Sequence, residues 1–439
     1  MIQTDSAAEP QFAAFVAIDW ADQKHAWSLQ AAGSDQREAD EMKHTPEAVG
    51  AWVSMLSARF AGQPIAVALE QSHGALVFML GQYADLHLYP IHPRAAAQFR
   101  AALYPSGARD DPVDADLLLD MLVLHRKHIR PLRPDNQPTR LVQHQVEARR
   151  RLVNEKTRQV QRLTAKLKIY FPQVLDWFDK MDSPLVGALL DRWPTLPDLQ
   201  RARPGTIRSF FTQHNCRDAE RIEERIRKIH QAVPAITDAA VIQPAVTVTR
   251  NLVQFIATLR AGIAELDQQI ATATAEHPDF GVFGSFPGAG PVLAPRLLAA
   301  FGSRRERFAT AAEVQKLSGI APVVKRSGKA ESVHFRRACP QFLRQTFPEW
   351  AGHSIGFCDW ARVFYQQQRQ QGHDHHAAVR ALAFKWIRIA FRCWHDGVPY
   401  DDARYVASLR RHGSPIAAAL DPVSPPIQIN SGGFSAKTF

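Results

Sequence analysis

The stretch Ala14-Phe-Val-Ala-Ile-Asp-Trp20 decides how the N-terminal part of the chain is expected to fold. Its apolar run over residues 15–18 is typical of a buried β-strand. Asp19 ends this run, and because a carboxylate is costly to bury without a cation or donor, we expect it at a strand end. Residues 23–30 alternate loosely and are expected to form the hairpin partner of this strand. The stretch therefore predicts a sheet with an acidic side chain at the end of one strand.

Short apolar stretches and helical patterns alternate beyond this hairpin, and this alternation is typical of an α/β sheet domain. A second buried strand ends directly before an acid, Glu70, as the first strand ends in Asp19. The predicted elements are a helix over 45–60, a strand over 64–69, a helix near 75–83, a strand near 86–91 and a helix over 93–103.

Two further acids stand at a predicted helix start. Pro112 suits the first helical position, which makes Asp111 the expected N-cap, and Asp114 lies three residues further on the same face. Capping and the helix dipole would explain either acid alone. Together with the acids at two strand ends, however, four carboxylates would share one small domain, and oxygen ligands of this kind suit two Mg²⁺ ions with a phosphate substrate. Asp19, Glu70, Asp111 and Asp114 are therefore the predicted metal ligands.

A strongly basic helix is predicted over residues 139–170, with nine Lys or Arg residues and only two Glu. Apolar residues form a broken stripe, so one face is expected to pack and the other to remain basic. Such charges usually lie on a solvated face, but the imbalance of sign favours contact with phosphates. The residues of this helix predicted to bind nucleic acid are Arg149, Arg150, Arg151, Arg158, Arg162, Lys166 and Lys168.

A second long helix is predicted from Pro244 to about Glu276, after short helices over 183–243. Its apolar residues recur at intervals of three and four, which indicates a helix pair or coiled-coil seam. Residues 131–277 are therefore expected to link the N-terminal domain to the rest of the chain.

A glycine-rich turn over residues 285–294 enters a helix and leaves backbone N–H groups free at its positive end. A helix-hairpin-helix holds a DNA phosphate in this way, through residues such as Gly288 and Gly290, whereas a plain tight turn is an equally good interpretation. Further on, Ser327 lies in a predicted loop. A Ser-Gly pair usually marks a turn, but the cations around this one would suit attack on a phosphodiester. Those cations, predicted to bind nucleic acid, are Lys325, Arg326 and Lys329.

The C-terminal part, residues 342–409, is predicted to be helical and rich in aromatic residues. Its cluster over residues 373–376 has three His and one Asp in a turn before a helix, without an evident fourth ligand. Capping of that helix is therefore favoured over a metal site. The Pro/Ser/Gly-rich segment beyond Gly413 is predicted to be disordered.

Composition limits the classes of function. The net charge of +10 indicates a polyanionic partner, most simply nucleic acid. There is no apolar run of a length that would span a membrane and no secretory signal pattern at the N-terminus, so a cytoplasmic protein without a membrane partner is expected. The four cysteines have no CxxC spacing and are expected to be reduced thiols: Cys216, Cys339, Cys358 and Cys393.

Taken together, these motifs resemble the DEDD transposases of bacterial insertion sequences, which are bridge-RNA-guided recombinases. The N-terminal part of the resemblance is Ile18-Asp19, Leu69-Glu70 and 111–115, and the C-terminal part, in order, is 287–290, 319–322 and 326–328. No single motif is specific; the resemblance is carried by the ordered set, which runs from about residue 13 to 405.

The resemblance implies an RNase H-like (RuvC-like) domain that holds Mg²⁺ through Asp19, Glu70, Asp111 and Asp114. It also implies a coiled-coil linker and a mainly α-helical transposase domain in which Ser327 attacks DNA. The expected domains are 1–130, 131–277 with nucleic-acid binding and dimerisation, 278–412 and a tail over 413–439.

The expected partners are a guide (bridge) RNA, donor and target double-stranded DNA, and further copies of the chain in a dimer or tetramer. The family usually has Lys-Thr before the third acid, where this chain has Arg109-Asp110, so Asp110 competes with Asp111 for that role. Two other classes stay open at this stage: a hydrolytic structure-specific nuclease such as a Holliday-junction resolvase, and a nucleic-acid-binding protein without catalysis.

Overall fold

The computed structural model describes residues 10–103, 111–328 and 330–420, and it leaves the side chains of residues 111–113 and 330 undescribed. The chain divides into two compact units, Met1–Pro134 and Asp135–Phe439. No helix among the described residues combines the length and the apolar character that crossing a membrane requires.

The first unit is built on a mixed five-stranded sheet with the strand order β3-β2-β1-β4-β5. The first three strands are antiparallel, whereas β4 runs parallel to both β1 and β5. The strands are β1 (Ala14–Asp19), β2 (Lys24–Ala31), β3 (Arg37–Lys43), β4 (Ile65–Leu69) and β5 (Leu86–Pro90).

Helices cover both faces of this sheet. Because side chains alternate along a strand, Val16 and Ile18 of β1 pack on one face, against α1 and α2, while Ala17 packs on the other face, against α3 and α4. Residues buried on both faces explain why β1 and β4 have nearly continuous apolar sequences. The helices are α1 (Pro46–Arg59), α2 (Ala75–Leu80), α3 (Pro93–Leu103) and α4 (Asp111–His125), followed by a 3₁₀ turn (Arg126–His128).

Most of this architecture follows from the sequence, but β3 does not. Every residue of β3 except Met42 is exposed, so the strand carries no apolar alternation that would reveal it. It exists because its backbone pairs with β2 and its charges pair with neighbours, as in the 2.5 Å contact between Glu38 and Arg59 of α1. An edge strand with charged side chains also discourages pairing with other chains.

The second unit is organised on two long antiparallel helices, α5 (Gln137–Tyr170) and α11 (Ala239–Ala275). Their direction is evident from contacts at both ends, since Thr139 meets His277 and Arg149 meets Asp267. Five shorter helices at one end of this pair enclose a separate apolar core. They are α6 (Gln173–Trp177), α7 (Pro184–Arg192), α8 (Leu196–Gln200), α9 (Pro204–Gln213) and α10 (Ala219–Gln231).

The predicted start of α11 at Pro244 was wrong. Asp238 caps the helix by accepting a hydrogen bond from the Ala240 amide at 2.9 Å, so the helix begins five residues earlier. Pro244 then lies in the second turn, where its missing N–H removes one helical hydrogen bond without ending the helix.

The other core of this unit is formed by the C-terminal helices with parts of α5 and α11. Trp350, Trp360, Trp386 and Trp394 are completely buried in it, which confirms the predicted aromatic-rich helical region. The helices are α12 (Phe280–Gly284), α13 (Gly290–Phe301), α14 (Ala311–Leu317), α15 (Gln341–Ser354), α16 (Asp359–Gln370), α17 (His375–Asp396), α18 (Asp402–Arg411) and α19 (Pro415–Ala418), with a 3₁₀ turn (Arg305–Arg307).

Two features of the C-terminal region differ from the sequence-based expectation. Ser327, predicted to lie in a loop, is instead the last residue of β6 (Val323–Ser327), which pairs with β7 (Ala330–His334) in a β-hairpin. The predicted disorder beyond Gly413 was wrong for its first residues, because α19 buries Ile416 and Ala417, and Ile416 packs in the helical core. Residues 421–439 lie outside the described part of the chain.

Candidate catalytic and nucleic-acid-binding sites

Asp19 and Glu70 lie side by side at the ends of neighbouring parallel strands. Asp19 is the last residue of β1, and Glu70 directly follows β4; the residues before them, Ile18 and Leu69, are paired in the sheet. The pair Ala17 and Ala68, two residues earlier, packs under α4. Because the pleat repeats every two residues, both acids are directed to the face that α4 covers.

Asp114 belongs to the first turn of the helix that covers this face. It lies one helical turn before Leu118, which packs on the sheet beside Ala17 and Ala68, and residues four apart share a side of the helix. Its carboxylate is largely buried and contacts the Arg100 guanidinium of α3 at 2.5 Å. The fold therefore brings three of the four predicted acids to one face of the sheet.

The third acid of the motif is only partly described. The backbone of Asp111 begins α4, but its side chain lies outside the described residues, as do Arg109 and Asp110. Within the described residues, no group of three His, Cys, Asp or Glu side chains is close enough to hold a metal ion. The four-acid ligand set stays a prediction.

Two acids of α4 that were not predicted as functional residues fix the helix to the sheet. Asp116 accepts a hydrogen bond from Ser28 of β2, which is completely buried, and Asp120 pairs with Arg37 of β3. Asp116 and Asp120 are four residues apart, so they share one side of the helix. The spacing of these two acids was the signal in the sequence that could have indicated their shared role. Only the order of the strands shows which residues they contact.

The turn after Asp19 is held by a buried histidine. His25 of β2 accepts a hydrogen bond from the Ala21 amide through Nδ1 at 3.2 Å, and its Nε2 lies 2.8 Å from Nδ1 of His44. The amide donates, so Nδ1 of His25 must be unprotonated and the ring neutral. Burial, and then the nearby His44, lower the pKa of His25 to about 4. The backbone after the acid is thus positioned by a group that stays uncharged near neutral pH.

The glycine-rich turn has one glycine that packing requires and one that is exposed. Gly288 has φ +73°, and a Cβ there would lie 2.8 Å from the backbone nitrogen of Ser354. The Pro287 carbonyl also accepts a hydrogen bond from the Trp350 indole at 3.1 Å. Gly290 begins α13 and is exposed. Gly288 thus fixes the turn against α15, and contact of Gly288 or Gly290 with a phosphate stays a prediction.

Ser327 lies at the exposed tip of the β6–β7 hairpin, immediately before Gly328, which has φ +56°. Arg326 is on the opposite side of the strand and pairs with Glu331 at 2.9 Å, whereas Lys325 shares the side of Ser327. Lys329 is outside the described residues. Ser318, in the similar Leu317-Ser-Gly319 stretch, is completely buried and donates to the Gln315 carbonyl at 3.2 Å. Only Ser327 of these two serines is accessible to a macromolecular substrate.

Some cations of the predicted basic face of α5 contact other parts of the protein, whereas others are exposed. Arg149 pairs with Asp267 of α11, and Arg150 donates to Gln345 of α15 at 2.8 Å, so both contact the interior of the helical unit. Arg151 and Arg158 are exposed and pair with acids of their own helix. Lys166 is half-buried, and Arg162 and Lys168 are exposed. Of the predicted nucleic-acid-binding residues of α5, the exposed cations are thus Arg151, Arg158, Arg162 and Lys168.

The remaining predicted features of this unit have local explanations. Asp374 caps α17 by accepting a hydrogen bond from the Ala377 amide at 2.7 Å, which agrees with the capping interpretation of residues 373–376. Cys216, Cys339, Cys358 and Cys393 are free thiols, as predicted.

Two family models match this chain in the regions that carry these sites. One, described as a DEDD transposase of the IS110 type, covers residues 16–172, which include the four acids and α5. The other, described as a transposase of the IS116/IS110/IS902 family, covers residues 282–366, which include the glycine-rich turn and Ser327. These matches define the chain as a DNA transposase, an enzyme whose substrate is DNA.

Individual relatives agree with the family models. The IS117 mini-circle protein of Streptomyces coelicolor is 29% identical over 356 residues, 79% of this chain and 84% of the relative. An insertion element IS110 protein of 43.6 kDa from the same species is 26% identical over 79% of this chain and 85% of its own length. An insertion element IS900 protein of 42 kDa from Mycobacterium paratuberculosis is 25% identical over 78% of this chain and 85% of its own length. The chain belongs to the IS110 family of DEDD transposases, which typically use divalent metal ions.

Proposed function

We propose that this transposase is an RNA-guided recombinase that excises and inserts its own insertion sequence, with Mg²⁺ held by Asp19, Glu70, Asp111 and Asp114. The observation that carries the proposal is the position of Asp19 and Glu70 on one face of parallel strands β1 and β4, below the helix that bears Asp114. The strand order β3-β2-β1-β4-β5, with three antiparallel strands followed by two parallel ones, supports an RNase H-like fold for this unit.

The acids fit a hard divalent cation because they supply only oxygen ligands, and because the two strand ends hold their side chains on rigid elements. When bound, Mg²⁺ would polarise the phosphate and offset the negative charge that develops on it. Arg100 contacts Asp114 at 2.5 Å and holds that carboxylate in place. His25 fixes the backbone after Asp19 without adding a positive charge near the proposed ligands.

In the proposed chemistry, the Ser327 hydroxyl oxygen attacks a DNA phosphorus and its proton passes to a base. The bond from phosphorus to one deoxyribose oxygen breaks, which leaves a serine–DNA phosphodiester and a free DNA hydroxyl. The reverse attack by a DNA hydroxyl on the same phosphorus rejoins the strand and restores the serine. Since one phosphodiester replaces another in each step, no ATP is required. The exposed position of Ser327 beside Gly328 supports its access to a backbone phosphate.

Target choice is assigned to base pairing between DNA and a guide RNA, with the protein holding the duplex through its backbone. The exposed cations of α5 support contact with a phosphate backbone. We propose that the active assembly is a dimer or tetramer.

Trapping of a covalent adduct tests the proposal. The purified protein is incubated with its copurified RNA, Mg²⁺ and DNA that carries the element ends, and is then denatured and digested. A DNA-linked peptide that contains Ser327 is the expected result. Cleavage that needs Mg²⁺ but yields no adduct would contradict the serine chemistry and favour a hydrolytic nuclease instead.

A further inference from the structure

An open cleft of about 400 Å³ lies among the short helices of the second unit, away from the predicted catalytic residues in sequence. Residues 177–185, between α6 and α7, form one wall, and residues 216–225, at the start of α10, form the other. Every residue of both walls is among the described residues. The volume suits a ligand of the size of a nucleotide.

The cleft has an excess of positive charge. Arg217, Arg221 and Arg225 follow one another at intervals of four residues, and all three line the cleft, as does Lys180; Asp179 and Asp218 are the acids of its lining. Asp218 is already engaged, since its carboxylate accepts a hydrogen bond from the Arg221 amide at 3.0 Å and caps α10. Four cations thus face two acids, one of which caps a helix.

Among the described residues, these arginines lack the ion pairs that their neighbours have. Elsewhere on α10, Glu223 pairs with Arg208 at 2.6 Å and Glu224 pairs with Lys228 at 2.7 Å. In the described part of the chain, no carboxylate lies within ion-pair distance of the three cleft arginines. Since like charges held close together repel, an anion between them would be stabilised.

Arg225 is fixed in place to meet such an anion. Its guanidinium lies 4.6 Å from the Phe178 ring centroid and 5.3 Å from that of Phe211. One nitrogen donates to the Trp177 carbonyl at 3.0 Å. A guanidinium has five N–H donors, so Arg225 keeps further donors while its position is set by two rings and one hydrogen bond. Such an arrangement loses little side-chain freedom when a ligand binds.

The wall beside these cations is apolar. Trp177, Phe178 and Ile222 line it and are each less than 10% exposed, with Leu185 beside them. A simple anion would need no such surface, whereas a nucleotide presents a phosphate together with the flat apolar face of a base. Base faces bind on apolar and guanidinium surfaces when the strand is unpaired, because a duplex keeps its bases stacked inside.

We propose that this cleft binds a nucleotide of a single-stranded polynucleotide, with its phosphate at Arg217, Arg221 and Arg225 and its base along Trp177, Phe178 and Ile222. The inference relies on the proposed function only in that the protein handles a polynucleotide. RNA and single-stranded DNA share this chemistry, and the experiment compares them.

The test measures binding of fluorescent single-stranded oligonucleotides of about eight residues to the full-length protein, freed of copurified nucleic acid. Arg221→Glu reverses an exposed charge of the cleft, and Arg227→Glu makes the same change on an exposed arginine of α10 that does not line it. We expect Arg221→Glu to weaken binding about ten-fold or more and Arg227→Glu to change it less than about two-fold, because a specific phosphate contact outweighs a general change of charge. Stronger binding of RNA than of DNA would assign the cleft to the guide RNA. Equal binding of the two would show that the cleft accepts any single-stranded polynucleotide.

Cys216 gives a second, independent readout because its thiol lines the cleft and is free. An oligonucleotide in the cleft should slow alkylation of Cys216 in the wild-type protein and in Arg227→Glu, but not in Arg221→Glu. Equal weakening by both substitutions, or unchanged alkylation of Cys216 with saturating oligonucleotide, would overturn the proposal. No strand cleavage is measured, so failure here leaves the recombinase chemistry unaffected, and loss of the Ser327 adduct leaves the cleft unaffected.

Discussion

Arg149 of α5 pairs with Asp267 of α11, so a cation that the sequence assigned to nucleic acid joins the two longest helices of the protein. Arg150 is similarly engaged, with Gln345 and with Glu349, whose carboxylate lies 3.7 Å away. Reversal of either charge would therefore disturb packing as well as any contact with phosphate. A test of nucleic-acid binding by α5 has to use its exposed cations instead.

Reversal of Arg158, Arg162 and Lys168 to Glu should weaken RNA binding across sequences. The slope of the logarithm of affinity against that of salt concentration should become shallower by about one unit for each phosphate that the variant no longer binds. Binding titrations at several salt concentrations measure both quantities. Arg149→Glu is the contrasting variant, because we expect it to lower the free energy of unfolding. An unchanged slope in the triple variant would identify this face of α5 as merely solvated.

Asp19→Asn should abolish strand cleavage and leave nucleic-acid binding intact, since it removes a charge from the proposed metal site without changing the shape of the side chain. Cleavage assays with Mg²⁺ and binding assays without it measure the two effects. Asp116→Asn is the matched control, because Asp116 lies on the same helix as Asp114 but bonds to Ser28. We expect that variant to lose stability and keep cleavage; equal loss of cleavage in both variants would argue against the assignment of Asp19.

Ser327→Ala should fold, bind RNA and DNA, and yield neither a covalent adduct nor a recombinant product. Ser318→Ala is the internal control. It should lose about 1 kcal/mol of stability, because a buried hydrogen bond to the Gln315 carbonyl disappears, and it should keep the adduct. Denaturing gels with labelled DNA detect the adduct. An adduct that survives Ser327→Ala but not Ser318→Ala would identify the other serine as the nucleophile.

Gly302→Ala should destabilise the helical unit by about 2 kcal/mol or more. Gly302 has φ +77°, and a Cβ there would lie 2.6 Å from both Asp135 carboxylate oxygens, so backbone strain adds to a steric clash. Asp135 accepts hydrogen bonds from the amides of Ser303 and Arg304, which the shifted backbone would weaken. Gly397→Ala, also at positive φ (+68°) but with open space around it, should cost less. Urea unfolding of the two variants measures the difference, and equal losses would show that the clash with Asp135 is relieved.

His25 should make the first unit less stable as the pH falls below about 6.5. Its pKa is lowered from 6.5 in the unfolded chain to about 4 in the folded protein, so between these values the unfolded state binds a proton that the folded state does not. The free energy of unfolding should therefore decrease from pH 6.5 to pH 4, by at most roughly 3 kcal/mol from this group. Above pH 7, His25 should have no effect on the free energy of unfolding.

Urea unfolding of wild type and His25→Gln at pH 7 and pH 5 tests this. The decrease between the two pH values should be smaller in His25→Gln, whereas His73→Gln, which changes an exposed histidine, should match the wild type. The same decrease in all three proteins would assign the acid sensitivity to other groups.

The sequence alone determined the elements whose patterns are local. Apolar runs before Asp19 and Glu70 specified two buried strands, and Thr45 specified the start of α1, where it accepts a hydrogen bond from the Ala48 amide at 3.2 Å. Pro93 marked the first residue of α3. These signals are local because alternation, capping and proline geometry depend on residues only a few positions apart.

Tertiary structure decided the rest. β3 has no apolar pattern and exists through its pairing with β2, and β6 and β7 likewise form a hairpin where the sequence indicated a loop. Composition could not distinguish the inward Arg149 from the outward Arg162, since both lie on one basic helix and only the approach of α11 separates them. The cleft beside α10 depends on residues about forty positions apart. Which acids and cations meet is set by the order of strands and helices, and no short stretch of sequence contains that order.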